Sequence, residues 1–357
     1  MTGPLTVVNV AYPFAPAGSD AVGGAEQVLS LVDEALVDAG NRSIVVACHG
    51  SVCAGRLVVP PGAGNGPDTG KPGAVHASIA RTIERLLREE RPHVVHMHGV
   101  DFHAYLPRRD DTPVVVTLHL PLSFYPPDAL VPRRDRIFLH GVSTSQMHGA
   151  PAAMPRLPEV PNGVRLDRLR PTRARPRRYA LALGRICPEK AFHDAIDAAV
   201  RARVPLLLAG RVFQYPAHEA YFREQVVPRL GPGCRYLGPV GLRRKRALLS
   251  AARCLVVSSV VDETSSLVAM EALACGTPVV ARRRGALPDI VDHGVTGFVV
   301  DSVDAMSEAI RVVGSIDRHA CRAAAEARFD ARETASAYLS MYHAIALTDR
   351  ADVPCPS

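Results

Sequence analysis

The sequence predicts an α/β protein made of two doubly wound domains, and three observations support this. Short apolar runs alternate with amphipathic stretches along nearly the whole chain, which is typical of buried parallel strands covered by helices. The length of 357 residues is that of two average domains. A stretch rich in Pro and Arg at 151–178 separates two series of similar size, so we expect a linker there.

Each predicted element rests on an apolar run or on helical spacing of apolar residues. In the first half, strands are predicted at 5–11, 43–47, 93–97, 113–118 and 136–142, with helices at 25–39 and 75–90. In the second half, strands are predicted at 179–183, 204–209, 235–237, 254–257, 278–281 and 298–300. Helices are predicted there at 190–202, 218–230, 242–251, 267–274 and 305–313.

The rest of the chain completes the domain prediction. The Gly- and Pro-rich stretch 60–73 is predicted to be a flexible surface loop, and 352–357 a disordered tail. We expect an N-terminal domain at 1–168, a C-terminal domain at 169–328, and a helical segment at 329–357 that crosses back to the first domain. Open α/β sheets bind ligands beyond the carboxyl ends of their strands, so the two domains are expected to face a central cleft that holds the chemistry.

Composition excludes several classes of protein. No apolar run reaches 18 residues and no export signal precedes the first strand, so we expect a cytoplasmic protein, with contact at a membrane surface as a compatible alternative. The eight cysteines are scattered without a CxxC pair, which argues against a zinc ribbon or a disulfide scaffold. The net charge is +7, yet the basic runs at 243–246 and 282–284 lack interleaved aromatics. They predict a solvated face or attraction to an anionic substrate, and no nucleic-acid partner.

The most informative stretch is DETSSLVAMEALACGTP at 262–278. The hydroxyl residues at 264–266 are good N-cap residues for a helix beginning at Leu267, and such a helix start suits a diphosphate. Glu263 lies just before that start and Glu271 about one turn inside, where a carboxylate can accept hydrogen bonds from ribose hydroxyls. The alternatives are an acid that complements the helix dipole at Glu263 and a solvated surface residue at Glu271.

A second stretch, LALGRICPEK at 181–190, places Arg185 and Lys190 around a helix start after a predicted strand. Two cations at the carboxyl end of a strand would stabilise a leaving diphosphate without a metal ion. Only three of the 42 basic residues are lysines, which gives Lys190 added weight. The alternative is an ordinary loop with solvated charges. The Gly23–Gly24 pair before the first helix lets the backbone approach a phosphate, or forms a simple tight turn.

Histidines cluster in the first half, at 96, 98, 103 and 119. A metal site is the alternative here, but no neighbouring carboxylate or cysteine completes a recognisable ligand set, so none is predicted. His119 ends a strand and is expected to reach the cleft and hydrogen-bond a sugar; otherwise it is a satisfied strand-end histidine.

Together these motifs resemble the family 4 glycosyltransferases of the GT-B fold over nearly the whole chain. Glu263 and Glu271 match the family's Glu-x7-Glu pair. Further matches are EALACGTPVVA after it, GALPDIV at 285–291, GVTGF at 294–298, VPNGV at 160–164, LGR…K at 183–190 and GGAE at 23–26.

The resemblance implies that the donor is a nucleotide-diphosphate sugar, with UDP or GDP as the nucleotide. Implied site residues are Arg185 and Lys190 on the diphosphate, Glu271 on the ribose, Glu263 and His119 on the sugar, Gly23, Gly24 and the helix start at Ser266, Leu267 and Val268 near the phosphates, and Val240 near the base. The family retains anomeric configuration, usually by a front-face displacement in which the leaving phosphate helps deprotonate the acceptor hydroxyl. Neither a metal ion nor another cofactor is then expected.

The resemblance leaves the acceptor open. A natural-product aglycone, as in antibiotic biosynthesis, and a lipid or cell-surface glycan are both compatible. At 264–266 the family commonly has Gly-Phe-Gly or Pro-Phe-Gly after the first Glu, whereas this chain has Thr-Ser-Ser, which predicts an altered donor preference. The alternative functions are a catalytically silent GT-B carbohydrate-binding or scaffold subunit and a GT-B phosphorylase or epimerase.

Overall fold

The computed structural model describes residues 3–64, 70–108, 111–172 and 178–351. They form two compact units: unit 1 is Met1–Pro161 with Glu333–Ser357, and unit 2 is Asn162–Arg332. The chain thus enters unit 2 before residue 169 and leaves it after residue 328. The two segments pair with each other near these boundaries, because Val164 donates to the carbonyl of Phe329 at 2.8 Å and accepts from the amide of Ala331 at 3.1 Å. The predicted loop at 60–73 and linker at 151–178 lie partly, and the predicted tail at 352–357 wholly, outside the described residues.

Unit 1 is built on a six-stranded parallel sheet of order β3-β2-β1-β4-β5-β6. The strands are β1 (Thr6–Val10), β2 (Arg42–Val46), β3 (Arg56–Val58), β4 (Val94–Met97), β5 (Val114–Thr117) and β6 (Ile137–His140). Its helices are α1 (Gly24–Asp38), α2 (Pro72–Glu90), α3 (Pro127–Leu130), α4 (Thr144–Met147) and nearly all of α12 (Ala331–Ala351). Helix α12 packs Tyr338 and Tyr342 against α1 and the sheet, and both tyrosines are buried.

Unit 2 repeats this plan, with a parallel sheet of order β12-β11-β10-β7-β8-β9. The strands are β7 (Ala180–Leu183), β8 (Leu206–Ala209), β9 (Cys234–Tyr236), β10 (Cys254–Val257), β11 (Val279–Arg282) and β12 (Gly297–Val300). The helices are α5 (Phe192–Ala202), α6 (Pro216–Tyr221), α7 (Leu242–Ala251), α8 (Leu267–Ala274), α9 (Leu287–Ile290), α10 (Val303–Val312) and α11 (Arg318–Arg328). Each sheet reverses its winding direction beside its first strand, so the two doubly wound α/β layers predicted from the sequence are confirmed.

All eleven predicted strands are present, displaced by at most two residues at either end. The sequence missed β3, a three-residue edge strand whose side chains are mostly exposed, because it has no apolar run. It also missed α11, whose buried side is made by little more than Cys321 and Ala325. Among the described residues, no helix is long and apolar enough to cross a membrane.

Candidate active site

The carboxyl edge of the unit 2 sheet opens at two glycines. Gly184 follows β7 at φ +150° and Gly210 follows β8 at φ +155°. A Cβ at Gly210 would lie 1.8 Å from the carbonyl oxygen of Gly184, so only glycine permits this close approach. The chain then leaves the sheet at Arg185. Among the described residues, the guanidinium of Arg185 forms no hydrogen bond or ion pair.

Lys190 and Glu263 form an ion pair at this edge. Lys190 ends a short 3₁₀ helix at Pro188–Lys190, and its Nζ lies 2.5 Å from Oε1 of Glu263. The hydroxyl of Ser259, just beyond β10, donates to the same carboxylate oxygen. The Glu263 side chain is 8% exposed and that of Lys190 26%, so Lys190 is not the solvated charge of the alternative interpretation.

The backbone of Glu263 is held by the chain after β11. The amide of Ala286 donates to the carbonyl of Glu263 at 2.7 Å, and the amide of Gly285 donates to the Asp262 carboxylate at 3.1 Å. Gly285 has φ +51°, and a Cβ there would lie 2.2 Å from the Glu263 carbonyl oxygen. The glycine that the sequence placed in a family motif therefore makes room for the backbone of Glu263.

Glu271 is paired with a lysine that the sequence analysis did not place in the site. Nζ of Lys245, on α7, lies 2.5 Å from Oε1 of Glu271, on α8, and the two side chains are 11% and 5% exposed. The solvated interpretations of Glu271 and of the basic run at 243–246 are therefore wrong at these two positions. Oε2 of Glu271 is buried without a hydrogen-bond partner, so it is an acceptor in need of a donor. The scarcity of lysines was the one signal that pointed to Lys245.

Helix α8 begins at Leu267 as predicted, with Ser266 at its N-cap position. The hydroxyl of Ser266 makes no capping hydrogen bond. Within the described part of the chain, no acceptor is paired with the amides of Leu267 and Val268. Two backbone N–H groups at the positive end of the helix dipole are thus available to an anion.

Val240 lies between β9 and α7, where it is half-buried against the core of unit 2. It stands five residues before Lys245 in the chain. The loop that was predicted to contact the nucleobase therefore leads into the helix that carries the partner of Glu271.

The remaining predicted site residues belong to unit 1. Gly23 is the N-cap of α1, which starts at Gly24, and a Cβ at Gly23 would lie 1.8 Å from the carboxylate of Glu26. His119 comes two residues after β5, and its Nε2 lies 3.1 Å from Nδ1 of His98. Burial beside His140 lowers the pKa of His119 to about 3, so this imidazole is neutral near pH 7.

His96 and His140 belong to a chain of hydrogen bonds inside unit 1. The donor and acceptor of each bond follow from the carbonyl at one end of that chain. His140 Nδ1 lies 3.0 Å from the Gly141 carbonyl and must donate, so its Nε2 accepts from the Thr117 hydroxyl at 2.7 Å. Thr117 then accepts from His96 Nε2 at 2.7 Å, and His96 Nδ1 accepts from the Tyr342 hydroxyl at 2.6 Å. Both nitrogens of His96 are thus used in hydrogen bonds, while His103 is exposed.

Comparison with known proteins agrees with these two units. Residues 22–168 match the model of "Glycosyltransferase Family 4", and residues 177–314 match that of "Glycosyl transferases group 1". Both halves of this chain are glycosyltransferase domains. The family predicted from the sequence motifs is therefore confirmed.

Relatives of these glycosyltransferase domains include D-inositol 3-phosphate glycosyltransferase of Mycobacterium tuberculosis (strain ATCC 25618 / H37Rv). The identity is 34% over 218 residues, which is 55% of this chain and 45% of that protein. The matched part thus spans about half the length of this curated relative.

Solved structures are similar over almost the whole chain. AviGT4, described as a glycosyltransferase involved in avilamycin A biosynthesis, has a TM-score of 0.70 at 22% identity, covering 96% of this chain and 98% of that one. Sucrose-phosphate synthase from Thermosynechococcus elongatus has a TM-score of 0.77 at 19% identity, covering 96% and 100%. Anabaena HepE, solved with UDP and glucose, has a TM-score of 0.73 at 18% identity, covering 95% and 100%. The GT-B fold predicted from the resemblance is confirmed.

Proposed function

We propose that this chain is a retaining, metal-independent glycosyltransferase that moves a sugar from a nucleotide-diphosphate sugar to an acceptor hydroxyl. The observation that carries the proposal is the pairing of two scarce lysines with the two glutamates of the Glu-x7-Glu motif. The uncapped N-terminus of α8 lies between those glutamates in the chain. Cations, buried acceptors and free amides are the groups that a nucleotide-diphosphate sugar needs.

Each group has a specific part in binding the donor. The amides of Leu267 and Val268 bind phosphate oxygens, and Arg185 and Lys190 supply positive charge to the same diphosphate. Glu271 accepts ribose hydroxyls through Oε2, while Lys245 holds its Oε1. Lys245 thereby holds the Glu271 carboxylate in place, as a positioning residue.

The transfer step uses the same charges. The bond between the anomeric carbon and the diphosphate oxygen breaks, and negative charge grows on the diphosphate beside Arg185 and Lys190. The acceptor oxygen bonds to the same face of the anomeric carbon, and its proton passes to the leaving phosphate oxygen. Glu263 accepts hydrogen bonds from hydroxyls of the transferred sugar. His119, neutral at pH 7, donates to the sugar, and Gly23 and Gly24 contact the diphosphate.

The acceptor is proposed to be a hydroxyl of a natural product or of a lipid or cell-surface glycan. AviGT4, named for avilamycin A biosynthesis, supports the first class. A lipopolysaccharide outer core galactosyltransferase, whose solved structure is similar at 16% identity with a TM-score of 0.63, supports the second.

Calorimetry with UDP, GDP, ADP and dTDP, each without added metal and with EDTA, tests this function. One nucleoside diphosphate should bind in the micromolar range, and Glu271→Gln should weaken it about tenfold or more because a charged acceptor is lost. Glu308→Gln, at an exposed glutamate of α10, is the matched control and should bind like the wild type. NMR of the product's anomeric proton then reports retention. Absence of binding by all four nucleotides would instead support the silent scaffold.

A further inference from the structure

Three potential metal ligands meet beside the 3₁₀ helix that carries Lys190. Cys187 precedes that helix, Glu189 lies within it, and His218 lies on α6. One ligand atom from each residue lies within 4.8 Å of the other two. Cys187 is buried, and the other two residues are half-buried.

Two polar atoms of this group have no hydrogen-bond partner although they are buried. They are Oε2 of Glu189 and Nδ1 of His218. Leaving such atoms unpaired costs about 1–3 kcal/mol each, so their presence on two residues that cluster with one thiol calls for a physical reason. The surrounding chain holds them there: the Glu189 carbonyl accepts from the amide of Val260 at 2.9 Å, and the His218 amide donates to the Tyr215 carbonyl at 2.9 Å.

The donor set suits a borderline-soft ion. Thiolate, imidazole and carboxylate are all zinc ligands, with bonds of about 2.0–2.3 Å. In a tetrahedral site such bonds place ligand atoms about 3.3–3.8 Å apart. With its ligand atoms at most 4.8 Å apart, the observed cluster needs a contraction of about 1.5 Å at most to close on an ion.

We propose that Cys187, Glu189 and His218 form a binding site for Zn²⁺ with an open fourth position. On binding, the cation replaces the proton of the Cys187 thiol, which leaves to solvent. None of its three ligands is among the groups proposed to hold the sugar nucleotide, and the ion has no proposed part in the transfer.

Occupancy of this site by Zn²⁺ would change how Arg185 and Lys190 bind the diphosphate, and this effect rests on the proposed function. Arg185 is two residues before Cys187, and Lys190 directly follows Glu189. The amide of Lys190 donates to the Cys187 carbonyl at 3.2 Å, so a shift of Cys187 moves the backbone of Lys190. Closing the cluster on Zn²⁺ should therefore disturb the contacts of Arg185 and Lys190 with the diphosphate and lower the affinity for the nucleotide.

Cobalt titration of the intact chain under reducing conditions tests the site directly. Co²⁺ should give the visible absorption of a tetrahedral ion together with a thiolate charge-transfer band, at one equivalent, and one equivalent of Zn²⁺ should abolish both. Cys187→Ser should remove the charge-transfer band, and His218→Ala should weaken Zn²⁺ binding about tenfold or more. Cys234→Ser, at another buried cysteine, and His319→Ala, at an exposed histidine, are the matched controls.

A charge-transfer band that survives in Cys187→Ser, or no tetrahedral spectrum in the wild type, would overturn the site. Calorimetry then tests the coupling: one equivalent of Zn²⁺ should weaken nucleoside diphosphate binding about fivefold or more, and not in His218→Ala. Zn²⁺ bound with unchanged nucleotide affinity would refute the regulation alone. Zn²⁺ bound by a protein that binds no nucleotide would refute the proposed function and leave the metal site standing.

Discussion

Lys245 donates to Glu271 inside unit 2, with 2.5 Å between Nζ and Oε1. The two residues are 26 positions apart, on α7 and α8, and both are nearly excluded from water. Taking two charges out of water is costly, so such a pair is weak evidence for stability alone, and we infer that one of its members has a further use. The unpartnered Oε2 of Glu271 indicates what that use is, because it leaves one acceptor free for a ligand.

Removing only one partner of this pair should be more damaging than removing both. Lys245→Met leaves a buried, unpaired carboxylate and should lower the free energy of unfolding by about 3–5 kcal/mol. Lys245→Met with Glu271→Leu should recover most of that loss in urea denaturation. Arg244→Met, at the exposed neighbour, should change stability by less than about 0.5 kcal/mol. Additive losses in the double variant would contradict a direct pair.

Lys190 should act on phosphate and not on the nucleoside. Lys190→Met removes a charge-assisted contact of about 1.5–3 kcal/mol. It should therefore lower the affinity for UDP or GDP, whichever of the two binds, about 10- to 150-fold. The affinity for the corresponding nucleoside should not change. Lys71→Met, at an exposed lysine of unit 1, is the matched control in the same calorimetry. Equal weakening of nucleoside and diphosphate would assign Lys190 a structural role only.

Gly285 should tolerate no side chain, because of its contact with Glu263. Gly285→Ala combines a positive φ of +51° with a Cβ 2.2 Å from the Glu263 carbonyl, so we expect a loss above about 3 kcal/mol and weaker nucleotide binding. Gly294→Ala has φ +80° but open space around its Cβ, so it should cost only about 1–2 kcal/mol. Thermal denaturation and nucleotide titration of the two variants separate the effect of backbone strain from that of the contact with Glu263. Equal losses of stability and of nucleotide affinity in the two variants would show that this contact is unimportant.

The direction of the histidine chain predicts tautomers. His96 should carry its proton on Nε2 and His140 on Nδ1, which ¹⁵N NMR of the imidazoles can determine. Tyr342→Phe strands the Nδ1 acceptor of His96 and should cost about 1–3 kcal/mol. Tyr338→Phe removes a longer contact, 3.3 Å from Thr117, and should cost less than about 1 kcal/mol. A larger loss of stability in Tyr338→Phe than in Tyr342→Phe would contradict this ranking of the two hydrogen bonds.

Acid should unfold unit 1 through these histidines. Burial lowers the pKa of His140 to about 4 from 6.5, so the unfolded chain binds more protons between these pH values. Stability is therefore complete above about pH 6.5 and falls by about 1.4 kcal/mol per pH unit for this histidine until about pH 4. His140→Gln should be less stable at pH 7 but should lose that part of the slope in urea titrations from pH 7 to 4. His148→Gln, at an exposed histidine, should leave the slope unchanged, and an unaltered slope in His140→Gln would contradict the assignment.

Local patterns were enough for much of this protein. The apolar runs of strands such as Ala180–Leu183 lie in consecutive residues, because a strand buried on both faces needs apolar side chains at every position. The positions of Arg185, Lys190 and Glu263 near element ends, and of Glu271 about one turn inside α8, could also be predicted, since strand ends and helix starts leave short-range signals. The elements that were missed are the edge strand β3, the helix α11 with its few buried residues, and the four-residue helices α3, α4 and α9.

Pairing across long stretches of chain was decided by the tertiary structure. Lys190 lies against Glu263, 73 residues away in the chain, because β7 and β10 are neighbours in one sheet. Lys245 lies against Glu271, 26 residues away, because α7 and α8 are neighbouring helices of the same unit. No spacing rule relates these positions. The basic run at 243–246 predicts a solvated Lys245, whereas in the structure its side chain is buried beside α8. The exchange of the chain between units at residues 161 and 332 depends likewise on Val164 bonding near Phe329. The sequence by itself determined the layers and the chemistry at their ends; which charges are buried together was set by packing, since burial depends on neighbours that lie far away in the chain.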